Sequence, residues 1–290
     1  MESLIYMATL AQSRVMRLSL SVRIAEGFLS KEEPTMPLDG VCSLAVEAGY
    51  EAICMRASQI GVQSAPDDVR EAQRILSEHD MPVSMLTGDF PTVYNNERGP
   101  DSLREIRPYL DLAEALSTQR IRVALKHSDD IPFAQRSADE AAERGLTLLH
   151  QCHHLSLFET VGGMVETLNA IDRPNFRLIY EPANMEQCGQ AYGLESVKRL
   201  GPWIDNVYFQ NQRIHEGGAI SLDSWTCGPV AFDLLQIHEA GGIDFPAVFE
   251  GLRSIGYDGT ITVHQSAPES GDALRSARAT ADYLRQLMAS

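Results

Sequence analysis

The stretch Leu146-Thr147-Leu148-Leu149-His150-Gln151-Cys152-His153-His154 decides how this chain is read, because a short apolar run ends abruptly in residues that bind metals or move protons. Side chains alternate across a strand, so Leu149, Gln151 and His153 share one face while Leu148, His150 and Cys152 share the other. The same form recurs along the chain. Leu18–Ile24, Ala52–Arg56, Val83–Thr87, Ile121–Leu125, Leu146–Cys152, Phe176–Glu181, Val207–Gln210 and Thr260–His264 are rich in Val, Ile, Leu and Tyr and have the length of parallel strands covered by helices.

Helical patterns fill the intervals. Leu38–Ala48 ends at Gly49, Ile131–Glu143 at Gly145 and Phe245–Ile255 at Gly256, each glycine serving as a helix stop. Asp67–Glu78 opens with acidic residues that suit the helix dipole, and Asp101–Leu116 carries Leu103, Ile106, Leu110 and Ala113 on one face. Leu157–Ala170, Leu194–Leu200 and Ala273–Met288 complete the series. Strict alternation predicts a single (β/α)8 barrel over residues 16–290, with residues 1–15 as an N-terminal extension and Met16 as a candidate start. An open doubly wound sheet is the rival, and it usually carries a glycine-rich phosphate loop after its first strand. Here that strand runs into Glu26-Gly27-Phe28-Leu29 instead. The segment Asn211–Pro229 reads as a long polar loop, a candidate lid over the mouth.

The bulk numbers agree with an ordinary globular enzyme: 290 residues, 44% apolar and 22% charged. A formal charge of −16 argues against nucleic-acid binding. Five cysteines without a CxxC pair, and no apolar run of membrane-spanning length, point to a cytoplasmic protein with no membrane attachment.

In a β/α barrel, function gathers at the carboxyl ends of the strands. Four consecutive strands end in Gln151, Glu181, Gln210 and His264. Facing one another they would form a cup for a divalent metal, Mn²⁺ or Mg²⁺, although only Glu181 brings a full negative charge. The alternative is a set of polar residues bonded to each other or to water.

At these residues the chain resembles the xylose isomerase-like barrel superfamily, which includes sugar-phosphate isomerases and epimerases, dehydratases and endonucleases. The resemblance is carried by Gly145–His153, Ser156–Thr160, Asn175–Asn184 and Gly256–His264. It implies a metal held by Glu, Asp, His and Glu at the ends of the fifth to eighth strands. Those roles fall on Gln151, on Glu181, on Tyr208 or Gln210, and on His264, so every position departs from the pattern. His153 matches a histidine near substrate, and Asn184 a position that contacts substrate oxygen.

The expected activity is therefore a metal-assisted isomerase or epimerase acting on a sugar, sugar phosphate or polyol by proton transfer next to a carbonyl. A dehydratase or keto-glycoside lyase is the nearest alternative, and a non-catalytic sugar- or partner-binding barrel the third. Gln151 cannot serve as a base, which leaves His264, His153, Lys126 and His150 as acid/base candidates. Arg23, Arg56 and Arg213 are candidates for a phosphate or carboxylate, with surface pairing preferred for Arg56, and Trp225 for stacking on a sugar ring. The expected partner is a small carbohydrate, with a homo-oligomer or a partner subunit also in view.

Overall fold

The computed structural model describes residues 16–27, 29–268 and 271–290, so the expected extension 1–15 lies outside the described residues. Among the described residues there are eleven strands: β1 (Arg17–Ser21), β2 (Ala52–Arg56), β3 (Val83–Thr87), β4 (Arg120–Val123), β5 (Thr147–Gln151), β6 (Phe176–Tyr180), β7 (Ile204–Phe209), β8 (Asn211–Ile214), β9 (Ile220–Ser224), β10 (Gly228–Leu235) and β11 (Thr260–Val263). β1 to β7 and β11 close a parallel barrel in the order β1-β11-β7-β6-β5-β4-β3-β2. Helices cover its outside, and the anticipated (β/α)8 barrel is the fold.

Local chemistry explains most boundaries. Gly49, Gly145 and Gly256 take positive φ of 80°, 68° and 65° and end the helices before them. The helix expected over Asp101–Leu116 is instead two, Asp101–Arg104 and Arg107–Ala115. The backbone leaves the helix at Glu105 (φ −134°, ψ 77°), and Pro108, which lacks an N–H to offer Arg104, suits the first turn of the second helix.

Two apolar layers hold the barrel. A large cluster lies between strands and helices, while Cys54, Met85, Leu149, Ile179 and Tyr208 plug the interior. Two residues after four of these, on the same inward face, come Arg56, Gln151, Glu181 and Gln210. Arg122 pairs in register with Leu149, so its side chain rises from the level of the plug. The functional residues thus stand directly on the packed core.

The segment expected to be a loop is a small antiparallel sheet, β8-β10-β9, inserted between β7 and the following helix, Phe245–Ser254. Its alternation is hard to see in the sequence, because of its strand residues Phe232 is the fully covered apolar one and the rest are half-exposed or polar. Asn211 fixes its root, with Oδ1 accepting from Gln212 N at 2.9 Å and Ile243 N at 3.0 Å. Glu159, 3% exposed, fixes its far end, accepting from Trp225 N at 2.8 Å, Thr226 N at 2.9 Å and Ser224 Oγ at 3.3 Å. The same carboxylate accepts from Leu155 N. Among the described residues, no helix is long and apolar enough to cross a membrane.

Replacing Glu159 by Ala would strand these donors, at a cost of about 1–3 kcal/mol for each one left dry. The expected result is fast amide exchange at Trp225 and Thr226, with the barrel strands still protected. Unchanged exchange at both amides would show that the carboxylate does not latch the hairpin.

Candidate active site

A cavity of about 200 Å³ opens at the carboxyl ends of the strands, and Leu222 of β9 forms part of its wall. Gln151, Glu181, Gln210, His264, His153, Asn184 and Arg23 all line it, so seven of the residues singled out in the sequence come together. Gln210, rather than Tyr208, faces the cavity. Tyr208 lies in the plug below, bonded through its hydroxyl to Cys54 Sγ at 3.2 Å and stacked under His264 with centroids 4.0 Å apart.

Glu181 is 1% exposed. Its Oε2 accepts from Asn184 Nδ2 at 2.7 Å and from Gln151 Nε2, which leaves Oε1 to meet a ligand. Burial raises its carboxyl to about 7, opposed by the Gln151 bond and by the charges of Arg122, Arg23 and Lys31. A carboxyl with this value exchanges its proton readily near neutral pH.

Arg56 is fully buried and organises the opposite side. Its Nε donates to Glu26 Oε1 at 2.9 Å, and its Nη1 meets His264 Nε2 at 3.2 Å. Guanidinium nitrogens only donate. His264 Nε2 must therefore be the acceptor, the ring is neutral, and the proton sits on Nδ1. Burial and the charges of Arg56, Arg23 and Arg122 also hold this imidazole well below its ordinary value. Nδ1 is buried without a partner among the described residues, so it is a donor kept for something in the cavity.

His153 turns Nδ1 toward Asn95 Nδ2 and His154 O, each at 3.0 Å, leaving Nε2 to meet a ligand. Burial holds His153 well below its ordinary value and puts His154 at about 4, so both rings are neutral at neutral pH.

Four expected site residues lie elsewhere. Lys126 does not line the cavity; its ammonium is buried beside it, donating to Asn95 O at 3.0 Å and pairing with Glu97 at 3.2 Å, so it braces the loop that holds His153. Arg213 is exposed on β8 and lines a separate cleft under the hairpin, because the sheet carries it outward. Trp225 is 51% exposed and stacks on His127 at 5.7 Å, away from the cavity wall. His150 packs on Phe158 outside the barrel, with its nitrogens on Gln151 O and Leu125 O.

The sequence reading passed over Arg122 and Lys31, both of which line the cavity. The signal for Arg122 was present: an arginine flanked by Ile121 and Val123 in a strand buried on both faces. Lys31 gave no such signal, since it follows a turn and reaches the cavity only through the fold. Its Nζ stands over the Tyr94 ring at 5.2 Å, and burial together with the nearby guanidiniums lowers it to about 6.

Residues 42–287 match the family model described as xylose isomerase-like TIM barrel. The chain belongs to that family. A curated relative, 3-dehydroshikimate dehydratase of Bacillus anthracis, is 21% identical over 185 residues, which span 59% of this chain and 65% of that protein's length. A D-allulose 3-epimerase from Methylomonas sp. superposes with a TM-score of 0.67 at 17% identity, over 94% of this chain and 98% of its own. A xylose isomerase-like TIM barrel protein from Mycobacterium smegmatis, solved in complex with magnesium, gives 0.69 at 12% identity, over 94% and 96%.

For a xylose isomerase-like barrel, the donors at the strand ends do not fit the metal cup expected from the sequence. Gln151 points its amide nitrogen at Glu181, and His264 Nε2 is occupied by Arg56. Arg122 and Arg23 crowd the remaining carboxylate with positive charge. Among the described residues, no three His, Cys, Asp or Glu gather closely enough to hold an ion.

Removing Glu26 tests the electrostatic frame. Glu26→Ala would leave the Arg56 charge buried and unmatched, at about 3–5 kcal/mol by analogy with broken buried pairs. Burial pushes the Glu26 carboxyl up, but the Arg56 charge and hydrogen bond outweigh it and hold it below the ordinary value. Its contribution is thus complete above the ordinary carboxylate value and fades as pH falls through the lowered one. Urea titrations of wild type and variant should converge as the buffer is acidified. A constant gap down to the acid transition would overturn this account.

Proposed function

We propose that this chain is an enzyme that transfers a proton at the carbon next to a carbonyl in a small polyhydroxylated substrate, with Glu181 as the proton acceptor. The observation that carries the reading is a buried carboxyl poised at about 7, held by two amides and open to the cavity on its other oxygen. As Glu181 takes the proton, the bonding electrons move to the carbonyl oxygen. The Nδ1–H of His264 is a donor for the negative charge that develops there. In isomerisation protonated Glu181 returns the proton to the former carbonyl carbon, while the hydroxyl proton of the first carbon passes to the former carbonyl oxygen and the new carbonyl forms. In dehydration the carbonyl re-forms, a double bond closes to the next carbon, and its hydroxyl takes the proton held by Glu181 and leaves as water.

Several findings support an enzyme of this kind. Relatives named as an epimerase and a dehydratase share the fold, and their two reaction types share loss of a proton beside a carbonyl as a first step. Between them, one feature of this site favours isomerisation or dehydration over epimerisation. Inverting a carbon needs acid/base groups on both faces of the substrate, and Gln151 stands where the family pattern has a second carboxylate. Isomerisation through an enediol and elimination of water each proceed with one carboxylate. His153, neutral and beside the cavity, is suited to donate to a departing hydroxyl or to orient it.

The test is solvent deuterium exchange at the carbon beside the carbonyl, across a panel of ketoses and cyclic hydroxy-ketones. For a responsive substrate, kcat/KM should rise about tenfold per pH unit below about 7 and level off above it, because the ionised form of Glu181 does the work. Glu181→Gln should lower exchange by about 10²–10⁴-fold while leaving the melting temperature within a few degrees. Exchange that survives in Glu181→Gln would remove Glu181 from this role.

A further inference from the structure

We infer that the inner end of this cavity binds an oxyanion of the substrate, a carboxylate or a phosphate, against Arg122 and Arg23. This deepens the Glu181 reading by naming the substrate class, and it rests on that reading for the chemistry alone. The metal pattern implied by the family is here replaced by its electrostatic opposite, positive charge supplied by the protein and negative charge by the ligand.

Arg122 is the residue that calls for such a ligand. It is 2% exposed and lines the cavity, and its Nε is buried without an acceptor among the described residues. Arg56 Nη2 is in the same condition beside it. Neighbouring carboxylates do not make up the shortfall. Glu26 accepts from Arg56 and Ser58 through Oε1 and leaves Oε2 buried without a partner, the Oε2 of Glu181 already accepts from two amides, and neither carboxylate reaches Arg122 Nε. Arg23, 4% exposed, brings a second guanidinium to the cavity, and Lys31 an amine. Glu181 is the carboxylate among the described lining residues.

A buried charge without an acceptor is retained at a cost in stability, and such sites are built where a ligand supplies the missing partner. Guanidinium forks match the paired oxygens of a carboxylate or phosphate. Two further groups describe the rest of the ligand. Gln151 Oε1 and Gln187 Oε1 are both buried acceptors without partners among the described residues, and both side chains line the cavity. They await donors, which hydroxyl groups provide. The ligand so specified is a small polyhydroxylated acid or sugar phosphate, its anionic end inward and its hydroxyls along the glutamines. The neutral state that burial favours for Lys31 fits as well, since an arriving anion would stabilise its protonated form.

The probes are inorganic phosphate and D-gluconate, with sorbitol as the uncharged control and MnCl₂ as the cation. Binding is followed by calorimetry and thermal melting. Phosphate or gluconate should bind saturably and raise the melting temperature, while sorbitol and Mn²⁺ at the same concentration should not. A preference between the first two identifies the anionic group. Arg122→Met should weaken binding at least tenfold, yet the ligand-free variant should melt no lower than wild type, because an unmatched charge has been removed. Arg122→Lys and Arg23→Gln carry the same comparison if the methionine variant fails to fold. Saturable binding that is unchanged in the arginine variants overturns the proposal. So does failure of both anions to bind, or stoichiometric Mn²⁺ binding that is lost in Glu181→Gln. Glu181→Gln should keep or tighten anion binding while losing proton exchange, so the two readings fail separately.

Discussion

The site depends on one contact, the buried pair of Arg56 with Glu26. A guanidinium in a barrel interior must be met by negative charge, and Glu26 meets it from the loop after β1. Once Arg56 is fixed there, its Nη1 meets His264 Nε2 and dictates the tautomer of that ring. A histidine read from sequence as base or metal ligand becomes a neutral donor. Arg23 and Arg122 line the same cavity, and their positive charge tempers the rise in the Glu181 carboxyl. Tautomer, carboxyl poise and ligand charge all follow from where Arg56 finds its partner.

The contrast between this interior and the rest of the molecule is large. The chain as a whole carries −16, while its cavity is lined by two guanidiniums, an amine and a single carboxylate among the described residues. Low-dielectric walls concentrate the field of such a cluster toward the opening. An acidic exterior also lowers the affinity for polyanions such as nucleic acids, which cannot enter the cavity. A small anion can enter, and the field favours it only once inside.

Sequence reasoning located the barrel because strand-length apolar runs and glycine-stopped helices repeat with a clear period. It located Gln151, Glu181, Gln210 and His264 because each ends a strand, where a β/α barrel gathers its polar side chains. What it could not supply was which atoms meet. The choice between Tyr208 and Gln210 depended on how far each strand rises, and the role of His264 depended on an arginine 208 residues away. Arg213 and Trp225 were misplaced because weak alternation concealed the small sheet that turns them outward. Lys126 was misread because a buried lysine serving backbone carbonyls has the same sequence signature as one serving a substrate.

The position of Glu159 has a mechanical consequence. One carboxylate accepts from Leu155, beside the histidine pair, and from Trp225 and Thr226 at the tip of the hairpin. The hairpin tip and the His153 loop are therefore joined at a common knot. Neither segment can shift alone without breaking hydrogen bonds to that carboxylate, so the wall of the cavity and the histidine beside it are held in register by one side chain.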